Sequence, residues 1–172
     1  MQLSNPKLFR EQAYIAGKWT DSDDGATFKV TNPANGEVIA NIARCGAAET
    51  RRAIEAANEA WPAWRSKTAK ERAQIMRRFY ELIMANQRDL AMIMTVEQGK
   101  PLQESMGEIV YGASFVEWFG EEAKRVYGDT IPAHRADHRI ATIKQPIGVT
   151  AGITPWNFPT AMITRKASPA LA

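Results

Sequence analysis

Near its C-terminal end the chain runs Ile147-Gly148-Val149-Thr150-Ala151-Gly152-Ile153, then Thr154-Pro155-Trp156-Asn157-Phe158-Pro159, then Thr160-Ala161-Met162-Ile163-Thr164-Arg165-Lys166. The first seven residues, small or β-branched, predict a short buried strand. Pro155 and Pro159 each fix their own φ and restrict the residue before them, so a Trp-Asn pair is held at set angles between them. Proline at a first helical position predicts a helix from Pro159 onward. A carboxamide on a loop where strand hands over to helix lies where open α/β folds bind ligands. The turn is therefore the first place to look for chemistry.

Asn157 has two N–H donors and no useful basicity, which excludes it as nucleophile or general base. It suits a developing oxyanion, where losing one donor typically costs about 10²–10³ in rate. Spacing alone leaves a second reading open, that Asn157 caps the following helix. Trp156 follows a loop, Ile153 to Pro155, whose backbone could face a dinucleotide; burial of the Trp against a sheet is the other reading. Arg165 lies eight residues beyond Asn157, a rise of roughly 12 Å if helical. Helical side chains tilt towards the N-terminus, so its guanidinium could meet a substrate carboxylate through two parallel hydrogen bonds. It could equally be a surface arginine.

Working outward, Tyr14 to Trp19 and Thr27 to Val30 alternate about Asp21-Ser22-Asp23-Asp24-Gly25, which predicts a hairpin. Asn32-Pro33-Ala34-Asn35-Gly36 predicts a second turn before a strand over Val38 to Ile42. Three helical stretches follow. Ile54, Ala57, Trp61 and Trp64 share a face of the first, which should end near Pro62. The second should begin around Ala69, carry Ile75, Phe79, Leu82 and Ile83 on a stripe, continue through Leu90, Ile93 and Met94, and stop at Gly99. The third should start at Pro101 with Ile109, Ala113, Val116 and Ala123 inward. Gly128 to Pro132 breaks the helical pattern, and Arg139 to Lys144 alternates like an edge strand able to meet another chain.

With 172 residues, 45% apolar and 24% charged, the chain is long enough for one domain with a core. A net charge of +3 without like-charge runs gives no support to nucleic-acid or membrane binding. One cysteine, Cys45, rules out an internal disulfide and fits a cytoplasmic location, as does the lack of an apolar leader or span. Cys45 reads as a bystander thiol. His134 and His138 lie four apart but in a loop-to-strand stretch without acidic or thiol company, so no metal site is expected. The chain ends at Pro169-Ala170-Leu171-Ala172, inside an apolar helical pattern with no stop signal, which reads as the front part of something longer.

Together with Ile15-Ala16-Gly17-Lys18-Trp19, Asn32-Pro33-Ala34-Asn35-Gly36-Glu37, Ala63-Trp64, Glu97-Gln98-Gly99-Lys100-Pro101 and Gln145-Pro146-Ile147-Gly148-Val149, the Pro-Trp-Asn-Phe-Pro turn resembles the aldehyde dehydrogenase superfamily. Within it, Met162 to Lys166 resembles the succinate-semialdehyde dehydrogenases. The resemblance implies the N-terminal third of an α/β, Rossmann-like cofactor domain with an oligomerisation β-hairpin. It divides the chain into residues 1–127 of the cofactor domain, an oligomerisation strand segment over 128–146, and a truncated start of the Rossmann-like core over 147–172.

It further implies an NAD or NADP site bordered by Ile153, Thr154, Pro155, Trp156 and Asn157, an oxyanion donor in Asn157, and a substrate-carboxylate ligand in Arg165. The implied reaction is oxidation of succinate semialdehyde to succinate by a homo-oligomer (dimer or tetramer). A thiolate attacks the aldehyde, hydride leaves for the nicotinamide, and a glutamate-activated water hydrolyses the thioester. The cysteine, the glutamate, the ribose-binding lysine strand and the glycine-rich helix start would lie beyond Ala172. Alternatives are a glutarate-semialdehyde dehydrogenase, one methylene different, and a non-catalytic truncated module for binding or oligomerisation.

Overall fold

The computed structural model describes all residues from Met1 to Ala172. Strands β1 (Ala13–Ile15) and β2 (Lys18–Thr20) pair antiparallel. Both turn residues between them, Ala16 and Gly17, have positive φ, 51° and 78°. That is what a two-residue hairpin of the twist-matching kind requires. The expected hairpin about Asp21–Gly25 is thus corrected. The stretch read as one strand folds back on itself, and β3 (Thr27–Thr31) pairs instead with β4 (Val38–Ala43). The second turn forms as expected, with Gly36 at φ 76° and its N–H donating to the Asn32 carbonyl at 2.8 Å.

Helices α1 (Ala47–Arg65), α2 (Ala69–Ala85), α3 (Gln87–Gln98), α4 (Leu102–Glu122) and α5 (Pro159–Leu171) make up most of the rest. Helix α1 runs a turn past Pro62, because a proline this near the end removes only one bond and the Ser66 N–H still reaches the Pro62 carbonyl at 3.2 Å. Its expected inward face holds only at Trp61 and Trp64, which are half-buried; Ile54 is exposed. The single long second helix is in fact two. Asn86 turns its side-chain amide onto the Leu82 carbonyl at 2.8 Å, a local bond that competes with helix continuation. Gly99, at φ 78°, closes α3 in the left-handed conformation.

The buried stripe of α2 is Ala73, Met76 and Ile83, whereas Ile75, Phe79 and Leu82 are more than 40% exposed. Apolar residues occupy two faces of α2, and only the packing of α4 decides which one is covered. Helix α4 is central, with Ile109, Ala113 and Val116 fully buried as the sequence predicted. They join Met76, Ile83, Ala91 and Met94 in the core.

After α4 the chain forms only a small antiparallel pair, β5 (Thr130–Ile131) with β6 (Ile140–Ala141). The strand expected over residues 147–153 does not form, and Ile147 and Ile153 are 92% and 97% exposed. A strand exists by pairing, and no other strand of these 172 residues pairs with it.

Glu49 ties the hairpin region to α1. Its carboxylate accepts the Asp23 and Gly46 N–H groups, each at 2.8 Å. The Asp23 amide, then the Gly46 amide, holds its pKa at about 2, against an ordinary 4.5. A depressed native pKa contributes stability above the unfolded value, and that contribution is lost as pH falls through the native one. Glu49→Gln should therefore lower the urea midpoint at pH 7, with the gap from wild type closing as pH falls from 4.5 towards 2. A gap that stays constant over that range would contradict the assignment.

Candidate active site

Helix α5 begins with unsatisfied N–H groups, as every helix does. Its N-cap residue is Phe158, which has no capping side chain. The acceptor comes from a different helix. Glu108 of α4, 4% exposed, takes the Thr160 N–H on Oε1 at 2.9 Å and the Ala161 N–H at 3.3 Å. Negative charge at a helix N-terminus is favoured by about 0.3–1 kcal/mol in exposed positions, and by up to about 2 kcal/mol when partly buried. The other oxygen of Glu108 pairs with Lys100, and the two side chains are 1% and 11% exposed.

Lys100 reaches further. Its ammonium donates to the Asn157 carbonyl at 3.2 Å and sits 4.3 Å from the centre of the Phe158 ring. Gln98 Nε2 lies 3.4 Å from the Trp156 carbonyl and 3.5 Å from that of Asn157. The backbone of the Trp-Asn turn is therefore held from one side by residues of the α3–α4 junction. Of the two readings left open for Asn157, the cap is not realised: Phe158 occupies the N-cap position and Glu108 supplies the acceptor. Asn157 is exposed, and its carboxamide is not engaged by α5.

Helices α4 and α5 touch most closely at Gly112. A Cβ there would lie 3.1 Å from Thr160 Cγ2, 3.3 Å from Thr164 Oγ1 and 3.4 Å from Ala161 Cα. One turn along this seam, Arg165 Nη2 donates to the Tyr111 hydroxyl. The guanidinium carbon lies 4.8 Å from the Phe115 ring centre. Arg165 Nε is buried and has no acceptor. Buried polar atoms without partners are uncommon in folded proteins, and Gln98 Oε1 and Ser168 Oγ share that condition here. The side chain is half-buried, its guanidinium lying over the Tyr111 and Phe115 rings.

Trp156 is 80% exposed, as is nearly all of Ile153, while Thr154 is half-buried. Burial of the Trp against a sheet is thus excluded for these residues. Cys45 lies just before α1, and none of the hydrogen bonds around Asn157 involves it. The His134 and His138 rings stack at 5.5 Å in an exposed loop, and the expectation that they lack acidic company is corrected, since His138 Nδ1 meets the adjacent Asp137 at 2.9 Å. No helix is long and apolar enough to cross a membrane.

The family profile described as "Aldehyde dehydrogenase family" matches residues 19–172. The chain belongs to the aldehyde dehydrogenase family. It is 68% identical over 172 residues to a glutarate-semialdehyde dehydrogenase of Pseudomonas aeruginosa, covering all of this chain and 36% of that protein. It is 63% identical over the same length to the NADP(+) succinate-semialdehyde dehydrogenase of Escherichia coli, again covering 36% of the relative. A crystal structure of an E. coli NADP-dependent enzyme superposes with a TM-score of 0.97 at 62% identity, covering 99% of this chain and 35% of the other. The chain thus spans about a third of the length of these relatives, and it has the mixed helix-and-strand architecture of the N-terminal part of the aldehyde dehydrogenase fold.

Sequence reasoning missed the supports of this aldehyde dehydrogenase turn. Gln98 and Lys100 were visible only as part of a resembling motif, and Glu108 was not singled out. A signal existed: Glu108 shares a helical stripe with Gly112, Phe115 and Phe119, an unusual place for a carboxylate unless something cationic meets it. Tyr111 and Phe115, four apart on α4, could likewise have been paired with an arginine.

Proposed function

We propose that the complete protein oxidises a short semialdehyde bearing a terminal carboxylate, succinate semialdehyde being the preferred assignment, with NAD or NADP as oxidant. One observation carries this reading. A single turn and helix carry a disengaged carboxamide at Asn157 and a half-buried guanidinium at Arg165, stacked on the Phe115 ring. The first suits an aldehyde oxygen and the second a carboxylate.

In this reading Asn157 donates Nδ2–H to the carbonyl oxygen as it gains charge, an interaction stronger in the transition state than in the ground state. Arg165 anchors the far end of the substrate. Tyr111 and Phe115 hold its guanidinium flat, so little side-chain entropy is lost on binding. The dinucleotide fits the loop from Ile153 to Trp156, where the Trp156 ring lies open and the Ile153 side chain covers nothing. When bound, that group supplies the hydride acceptor. The names of the E. coli relative and of the E. coli structure carry NADP, which supports that form here.

A second reading, glutarate semialdehyde as substrate, is favoured by the 68% identity to the Pseudomonas enzyme of that name. One methylene alters discrimination by only about 1–3 kcal/mol, so Arg165 serves either length. We also assign residues 128–146 to subunit contact and residues 147–172 to the opening of the cofactor-binding core. Ile131 and Ile143, at 43% and 76% exposure, support the first assignment.

Two substitutions in the complete protein test the site. Asn157→Ala should lower kcat by about 10² or more with the KM for cofactor little changed; an unaltered kcat would remove the oxyanion role. Arg165→Ala forfeits a charge-assisted hydrogen bond of about 1.5–3 kcal/mol. The KM for succinate semialdehyde should rise roughly tenfold to a hundredfold, with an uncharged aldehyde nearly unaffected. Equal effects on both aldehydes would point to packing rather than carboxylate recognition.

A further inference from the structure

We propose that Glu108, together with Lys100, is a positioning residue that sets the aim of Asn157. The proposal rests on the reading of Asn157 as oxyanion donor and names what holds it. The N-cap position of α5 is held by Phe158, whose side chain cannot accept from the free N–H groups, and Asn157 stands one residue before it. At α5 those groups are already taken, because Thr160 and Ala161 donate to Glu108 Oε1 at 2.9 and 3.3 Å. The cap supplied from α4 leaves the Asn157 carboxamide nothing to bind in its own helix.

Lys100 does the complementary work on the backbone. Its ammonium is shared between Glu108 and the Asn157 carbonyl, and it lies over the Phe158 ring. Asn157 therefore has its carbonyl tied down and its side chain free. Pro155 and Pro159 restrict the dihedrals around it. Neither charged group has another ionic partner: Glu108 pairs only with Lys100, and Lys100 only with Glu108. A carboxylate 4% exposed in the interior is costly unless it is paired and hydrogen-bonded, and here every contact it makes leads to the turn.

Positioning is separable from general stability by a double-mutant cycle, since residues acting through one group do not add. In the complete protein, Glu108→Gln is close to isosteric but can no longer serve both the ammonium and the helix. Its kcat/KM for the semialdehyde should fall about tenfold to a hundredfold, the scale of a misplacement near 1 Å. In the Asn157→Ala background the same change should add almost nothing. Hydrogen exchange at the Thr160 and Ala161 amides should quicken in Glu108→Gln, a readout independent of turnover.

Lys100→Met, which leaves the helix cap in place, provides the same cycle should Glu108→Gln not fold. Losses that multiply with Asn157→Ala overturn the proposal, as does full activity in Glu108→Gln beside a crippled Asn157→Ala. Full activity in Asn157→Ala itself would instead remove the oxyanion reading, and the positioning role with it.

Discussion

A carboxylate on one helix that caps the next is the constraint on which the rest of this site depends. Glu108 sits in the second turn of α4, the element around which the core is assembled, and its reach to Thr160 and Ala161 docks the head of α5 at one place. Without it, the Thr160 and Ala161 N–H groups would have no acceptor, since the N-cap residue Phe158 offers no capping side chain. The interaction therefore decides both where the helix starts and what its leading asparagine is free to do. Its counter-ion Lys100 passes the same constraint to the backbone of the turn.

Close packing makes the constraint rigid. Gly112 lets α5 approach α4 to van der Waals distance, and Gly120 does the same for α2, where a Cβ would lie 3.3 Å from that of Met76. Gly99 is required twice over. Its φ of 78° is left-handed, and a Cβ there would come within 2.8 Å of the Pro33 ring. The turn after β3 is thus wedged against the junction that carries Gln98 and Lys100. Interiors packed this tightly transmit a displaced atom instead of absorbing it. Small changes at the α3–α4 junction should be felt at Asn157.

Much of this was legible in the sequence, for reasons that differ by element. The α4 face of Ile109, Ala113 and Val116 was legible from its spacings of four and three, although Tyr111, Phe115 and Trp118 make a second apolar stripe that stays largely uncovered. On α2 two apolar stripes competed, and the sequence does not say which one another helix will cover. The hairpin at Ala16-Gly17 was overlooked because alternation continues across a two-residue turn, whereas Asp21 to Gly25 looks like a turn and serves as a connection. The strand over residues 147–153 has the right residues and no partner among those present. At the site, Asn157, Trp156 and Arg165 stood out because proline spacing and residue type mark them locally. Glu108 lies 52 positions from the N–H it accepts, and such a contact is invisible to any local pattern.

The most direct measurement is a crystal structure of the complete protein with an aldehyde-derived tetrahedral adduct in the site. The expected result is Asn157 Nδ2 at about 2.7–3.1 Å from the adduct oxygen, with the Glu108 carboxylate still on the Thr160 and Ala161 amides. An Asn157 carboxamide turned into α5, or directed away from that oxygen while the adduct is bound, would contradict the central claim.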